Sequence, residues 1–406
     1  GLAALANDGD GIRVDHSDDV DVKDNVISGN SSDGIGFVDT HGGAVTRNAI
    51  GLDADKLNPI PNQQGVSLSN ASGLVIGGDV NLQLQNWISG NTYSGVRVNT
   101  GGSNTNYIQG NIIGQDFNGA PAGNGTHGVF INGGENIMVG GSSVTGNVIA
   151  DNGGTGIQVL GTNTQFIILR HNNIFDNGDL GIDLNGDGVS ANDPGDGDAG
   201  ASQTQNFPEL FNAAPSGGTT EVIGLLDSWP GGTYVVDFYR NVAADGSGYG
   251  EGETLIASMN LSNGDSQTFF FTLPTVPVGE YITAMATLTD PSVNSSEFSA
   301  AIQVSNCTPP PSFDPAIAIA GSDVQLTWSS PSSVDFYVFR SVDDPYFIAS
   351  ETYDETTASL WTDPAADELG DAANNYYYYV RGADGCASTP GQTVGEFDFA
   401  LTPGTP

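Results

Sequence analysis

The sequence predicts an all-β chain whose first half is a solenoid and whose second half is two antiparallel sandwiches. Three observations lead there. A six-residue pattern, Asn86-Trp-Ile-Ser-Gly-Asn91, recurs at 25–30, 147–152 and 172–177, with shorter relatives beginning at Asn48 and Asn111. Taken two at a time, the leading asparagines return after about 61 residues, the mark of stacked repeats with two unequal turns. A second marker, Gly followed by Ile or Val, interleaves at Gly11, Gly34, Gly65, Gly95, Gly128, Gly156 and Gly181. Apolar and polar residues alternate after it, as in Gly128-Val-Phe-Ile-Asn132, which is strand periodicity. Beyond residue 206 the repeat stops, and short strand-like runs separated by turn residues replace it.

Each residue type in the repeat has a physical reason to be there. Ile27, Ile50, Ile88, Ile113, Ile149 and Ile174 would stack as one inward column of the core. Asn at a strand corner would take the left-handed backbone conformation and bond the Asn of the coils above and below, as amide ladders do. Gly would supply the remaining positive-φ corners. Stacked at strand spacing, the coils would extend roughly 33 Å. The insertions at 53–64 and 117–126 carry Pro59, Pro61 and Pro121 and would form loops on the sides. The fold expected over residues 1–206 is a parallel β-helix.

The stretch Asn106-Tyr-Ile-Gln-Gly-Asn-Ile-Ile-Gly114, with Gly128-Val-Phe-Ile131, Val139-Gly-Gly141 and Asn147-Val-Ile149, resembles the right-handed parallel β-helix repeats of bacterial secreted and cell-surface proteins. That resemblance implies an architecture, not an activity, because the fold hosts lyases, hydrolases, epimerases, adhesins and fibres.

At the end of the repeat, 181–200 is an acidic loop. Asp183, Asn185 and Asp187 followed by Gly188 read as the first half of a calcium loop. Its usual closing Glu is replaced by Pro194, so Asp193, Asp196 or Asp198 would complete the shell. Calcium is the cofactor this pattern predicts. Residues 207–306 hold strand-like runs at 221–226, 233–239, 254–261, 267–273, 281–288 and 297–304, which suggest an immunoglobulin-like sandwich. Residues 307–406 open on Pro309-Pro-Pro311, a stiff linker. There Val324-Gln-Leu-Thr-Trp328, Phe336-Tyr-Val-Phe-Arg340 and Tyr376-Tyr-Tyr-Tyr-Val-Arg381 resemble the B, C and F strands of a fibronectin type III domain. Trp328 would be core, and the tyrosines would alternate between core and solvent. An aromatic glycan platform is the competing reading of that run.

Forty-eight acidic against nine basic residues give a net charge of −39. Such a chain lacks the cations that drive nucleic-acid affinity, and anionic membranes repel it. Cations, neutral glycans, other surface proteins or copies of itself are the partners left. Cys307 and Cys386 would form a disulfide in an oxidising exterior, worth roughly 4.5 kcal/mol in the chain-entropy model. No membrane-spanning run occurs, and Gly1-Leu-Ala-Ala-Leu-Ala6 is too short for a signal-peptide core. The repeat is already running at Gly11 with no cap before it, so a trimmed precursor segment or another chain is expected over that end. The stretch Val394-Gly-Glu-Phe-Asp-Phe-Ala-Leu401 would either complete its own domain or add a strand to a neighbour.

Chemistry is thinly represented. The best acid–base cluster is Arg13, Asp15 and His16, with Asp18 and Asp19 nearby, and Arg97 falls at the same place in its turn as Arg13. A polysaccharide lyase or epimerase would need a base, an acid and cations to hold a uronate. Its full motifs are missing, and so few Lys and Arg make a poor uronate cleft. His16, His41, His127 and His171 show no metal spacing, and phosphate loops and nucleotide fingerprints are absent. The expectation is therefore a non-catalytic, calcium-stabilised extracellular structural or adhesive protein that assembles end to end, with the lyase or epimerase as the alternative.

Overall fold

The computed structural model describes residues 7–99, 103–306, 316–320, 323–328, 335–342, 354–363, 376–383 and 388–395. The architecture is all-β, with three parallel sheets in the repeat region and antiparallel sheets after it.

The alternating Gly-apolar segments build the first sheet of the solenoid. Ile12–Asp15, Ile35–Val38, Val66–Ser69, Val96–Asn99, Val129–Asn132, Ile157–Leu160 and Ile182–Leu184 pair in parallel, each with the strand of the next coil. The second sheet stacks Val22–Lys23, Ala44–Thr46, Val75–Gly77, Ser103–Gln109 and Glu135–Val139. The Asn-x-Ile segments form the third, from Val26–Ile27 through Ala49–Ile50, Trp87–Ile88, Ile112–Ile113 and Val148–Ala150 to Asn173–Phe175. This is a right-handed parallel β-helix.

Register follows the sequence pattern. Ile27, Ile50, Ile88, Ile113, Ile149 and Ile174 pair one to the next and are all buried. The apolar residue after each marker glycine forms a second column, in which Val66, Val96, Val129 and Ile157 are fully enclosed.

One sequence expectation needs correcting. The ladder asparagines do not take the left-handed conformation; the residue before them does, at Asp24 (φ 61°), Arg47 (58°), Asp151 (60°) and His171 (62°). An Asn thus sits one step past the corner, with its amide turned inward to bond along the stack. Glycines do supply other positive-φ corners, at Gly29 (φ 77°), Gly51 (85°) and Gly90 (71°), but the marker glycines are not among them. A Cβ on Gly65 would lie 2.4 Å from the Gly95 carbonyl oxygen, so these positions demand the absence of a side chain. Gly114 demands both, with φ 100° and the Ala150 oxygen only 1.8 Å from where a Cβ would stand. Gly114→Ala should therefore cost about 2–3 kcal/mol in denaturant unfolding. An unchanged midpoint would mean that the coils part there freely.

The chain forms two compact units, both discontinuous in sequence. The first comprises Gly1–Glu209, Leu226–Ser266 and Glu280–Ala301, so it adds an antiparallel sheet to the solenoid. That sheet orders Thr254–Leu261, Thr233–Asn241, Tyr281–Asp290 and Asn294–Ser295. Tyr239, Met285 and Phe298 from this part join the solenoid's own core.

The second unit contains Leu210–Leu225, Gln267–Gly279 and Ile302–Pro406. Trp328 lies in its core with Phe336, Trp361, Tyr378 and Val380. In the tyrosine run Tyr378 is buried, while Tyr379, together with Tyr337 of the neighbouring strand Asp335–Val342, packs on the cluster of Ile223, Phe270 and Phe339. Phe270 stands 4.9 Å from the Tyr337 ring and 5.4 Å from that of Phe339. Packing within the unit thus covers the face that a glycan platform would need. Ser388–Gly395 pairs antiparallel with Tyr376–Ala383, so Val394 and Gly395 belong to their own sheet. Residues 396–401, Cys307 and Cys386 lie outside the described residues, as does the proposed disulfide.

Candidate functional site

Asparagine ladders dominate the polar interior of the solenoid. In the first, each side-chain Nδ2 donates to the Oδ1 of the next coil, from Asn25 through Asn48, Asn86, Asn111 and Asn147 to Asn172. A second runs from Asn30 through Asn62, Asn91, Asn124 and Asn152 to Asn177. Each Oδ1 also accepts the preceding Asn's backbone N–H, and the other Nδ2 hydrogen reaches a carbonyl, as from Asn111 to Ile76 at 2.8 Å. A buried amide so placed is satisfied on every side.

The last coil needs acceptors that no further coil supplies. Four residues from the antiparallel sheet region provide them. Glu251 takes the place of the next asparagine: its Oε1 accepts the Asn177 backbone N–H (2.9 Å) and Nδ2 (3.1 Å), and its Oε2 accepts the Asp176 N–H. Glu297 accepts the N–H groups of Leu184 and Ser190 at the end of the first sheet. At the second, Ser295 donates its N–H to Ile167 and accepts that of Leu169, and Asn294 Oδ1 accepts that of Phe166. Burial raises the carboxyls of Glu251 to about 7 and of Glu297 to about 8. A buried ion pair, Arg170 with Asp237 (2.7 Å), joins the same two parts.

The six residues of the expected metal loop separate into two groups. Asp183 and Asn185 are already engaged by protein donors. Asp183 Oδ1 accepts the Gly186 N–H and Oδ2 the Gln158 amide, while Asn185 Oδ1 accepts the Ala201 N–H. Asp187 is exposed beside them. Asp193, Asp196 and Asp198 converge instead, with carboxylate oxygens within 4.8 Å of one another. Asp196 is held by the Asn206 N–H and the Ser228 hydroxyl, and burial raises its carboxyl to about 6.

Asp15, His16 and Asp39 form the second convergent group among the described residues. Arg13 binds Asp15 at 3.3 Å and also approaches Asp10 at 3.5 Å, so it is not free for a substrate carboxylate. The His16 hydrogen bond, with help from Arg13, holds the Asp15 carboxyl below its usual range. Asp39 was not singled out in the sequence, because its approach to His16 depends on coil register.

The fold and its ladders define the first half of the chain as a right-handed parallel β-helix protein. Residues 3–190 match the model of a family described as periplasmic copper-binding protein (NosD). That family's description names a metal and no reaction. It also overturns the calcium expectation, because the matching family is copper-binding. The physical reason for the miss is visible in the turn, where the first two calcium-type ligands are occupied by protein donors.

No curated protein matches the chain. Among solved structures it is similar to the FN1–FN3 domains of chicken CNTN1, at 12% identity over 47% of this chain and 63% of that one, with a TM-score of 0.19. The chain therefore spans less than two thirds of that structure. It is also similar to the human OSCAR ligand-binding domain (11% identity; 47% of this chain, 98% of that one; TM-score 0.16). A third likeness is to the enzymatically active domain of bacteriophage CBA120 tailspike protein 2 (10%; 74% and 52%; 0.26). Likenesses this distant say nothing of function. Among the described residues no helix is long and apolar enough to cross a membrane.

Proposed function

We propose that this chain is a non-catalytic scaffold of the cell exterior, a β-helical element with antiparallel adhesive modules that binds copper and associates with copies of itself. The observation that carries the scaffold reading is how the solenoid uses its interior polar groups. They tie coil to coil and the last coil to its cap, and the acid–base cluster of Arg13 with Asp15 and His16 is internally paired.

Copper enters through the family match, and the donor set of Asp15, His16 and Asp39 fits it, since imidazole nitrogen with carboxylate oxygen suits Cu2+. The Asp193, Asp196 and Asp198 set lacks a nitrogen donor. The Met138 sulfur accepts from Gln109 and that of Met285 from Tyr239, so these thioethers are already engaged.

A net charge of −39 keeps copies apart at low ionic strength, and bound cations would lower that barrier. Sedimentation velocity on the full chain, with and without added Cu2+, should show concentration-dependent association. A monomer at every concentration would end the self-assembly reading. Glycan turnover that disappears in Asp15→Ala would end the non-catalytic one.

A further inference from the structure

We infer that His16 and Asp39, on adjacent coils, are the first ligands of a copper-type ion and that Asp15 orients the imidazole from behind. This rests on the copper reading above and assigns it to particular atoms.

The three side chains sit at one corner of the solenoid. His16, Asp39 and Asn70 end equivalent strands of successive coils, and each donates its backbone N–H to the coil above at 3.0–3.2 Å. All three have a left-handed backbone, with φ of 50°, 49° and 50°. Later coils fill the corner with Gly133 and Gly161, the residues that adopt it without cost. Placing His and Asp there puts long polar side chains where glycine would be easier.

The carboxylates are oriented. Arg13 holds Oδ2 of Asp15, which leaves Oδ1 on the Nδ1 of His16. Asn70 donates to Oδ1 of Asp39 at 2.6 Å, which leaves Oδ2 facing Nε2 of His16 at 3.6 Å. The Asp15 contact favours a proton on Nδ1 and frees the Nε2 lone pair, the carboxylate–histidine–metal arrangement of many metal sites. A gap of 3.6 Å is too long for a hydrogen bond. It is a separation that two donors on one ion span, with metal–ligand bonds of about 2 Å. His16 is 75% exposed and Asp39 41%, so an ion can enter and water can fill the remaining positions.

Titration of the full chain with Cu2+ in excess Mg2+, which suppresses loose binding to its many carboxylates, tests the assignment. Electron paramagnetic resonance should show coupling to an imidazole nitrogen. His16→Ala should abolish that coupling and weaken binding at least tenfold. Asp39→Asn should weaken it about tenfold, and Asp15→Asn should do so while the nitrogen coupling stays, the effect expected of an outer partner. Thermal unfolding of the metal-free variants should match the parent, because these side chains are exposed. Copper bound with unchanged nitrogen coupling in His16→Ala would overturn the assignment and leave copper binding intact. A full chain that binds no Cu2+ would sink both.

Discussion

Glu251→Ala is expected to lower the stability of the solenoid unit by about 4 kcal/mol. Three buried donors, the N–H groups of Asp176 and Asn177 and the Asn177 amide, lose their acceptor, at about 1–3 kcal/mol each before water replaces part of the loss. Glu251→Gln should cost less but not be neutral, since its NH2 would face a donor wherever an oxygen now accepts. The same carboxylates predict a pH dependence. Glu251, Glu297 and Asp196 titrate at about 7, 8 and 6 in the folded chain, each raised first of all by burial. A carboxyl whose folded pKa exceeds its unfolded value stabilises fully below the unfolded value, and that stabilisation fades as pH rises through the folded one. His127 and His171 act oppositely, since burial lowers them and their contribution is lost as pH falls. The melting temperature should therefore decline between about pH 6 and 8.5. The Glu251→Gln and Glu297→Gln pair should flatten that decline. A melting temperature that rises over this range would contradict the role given to these groups.

The second large effect is expected inside the ladder. Asn111 is 1% exposed, and its oxygen accepts both the backbone N–H and the Nδ2 of Asn86, while its own Nδ2 reaches Ile76. Asn111→Ala orphans two donors and a carbonyl at once and should cost about 3 kcal/mol in urea unfolding. Asn111→Asp keeps the acceptors but buries a charge and loses the donors, so it should be at least as damaging. A loss below about 1 kcal/mol would mean that water reaches the ladder and satisfies the orphans.

The repeat was legible because its physics is local and repeated. A β-helix coil must place an apolar residue inward at fixed intervals, so the isoleucine column and the Gly-apolar column could be read from spacing alone. Asn62 and Asn124 show the limit of spacing. They belong to the second ladder, yet each is preceded by a loop insertion that hides it from the six-residue pattern. The metal groups show another. Asp183, Asn185 and Asp187 are close in sequence and looked like ligands, but hydrogen bonds from Gly186, Gln158 and Ala201 engage the first two. His16 and Asp39 are on different coils, and only the register between those coils brings them to 3.6 Å.

The sequence by itself determined the solenoid, its register and its core, because each coil repeats the same short-range requirement. Tertiary structure decided how the solenoid ends. Glu251 lies 74 residues beyond Asn177, on a segment with no trace of the repeat, and no local rule links a Gly-Glu-Gly stretch to an amide ladder so far upstream. The link follows from an unpaired row of N–H groups in the last coil, which must find buried acceptors wherever the returning chain can supply them.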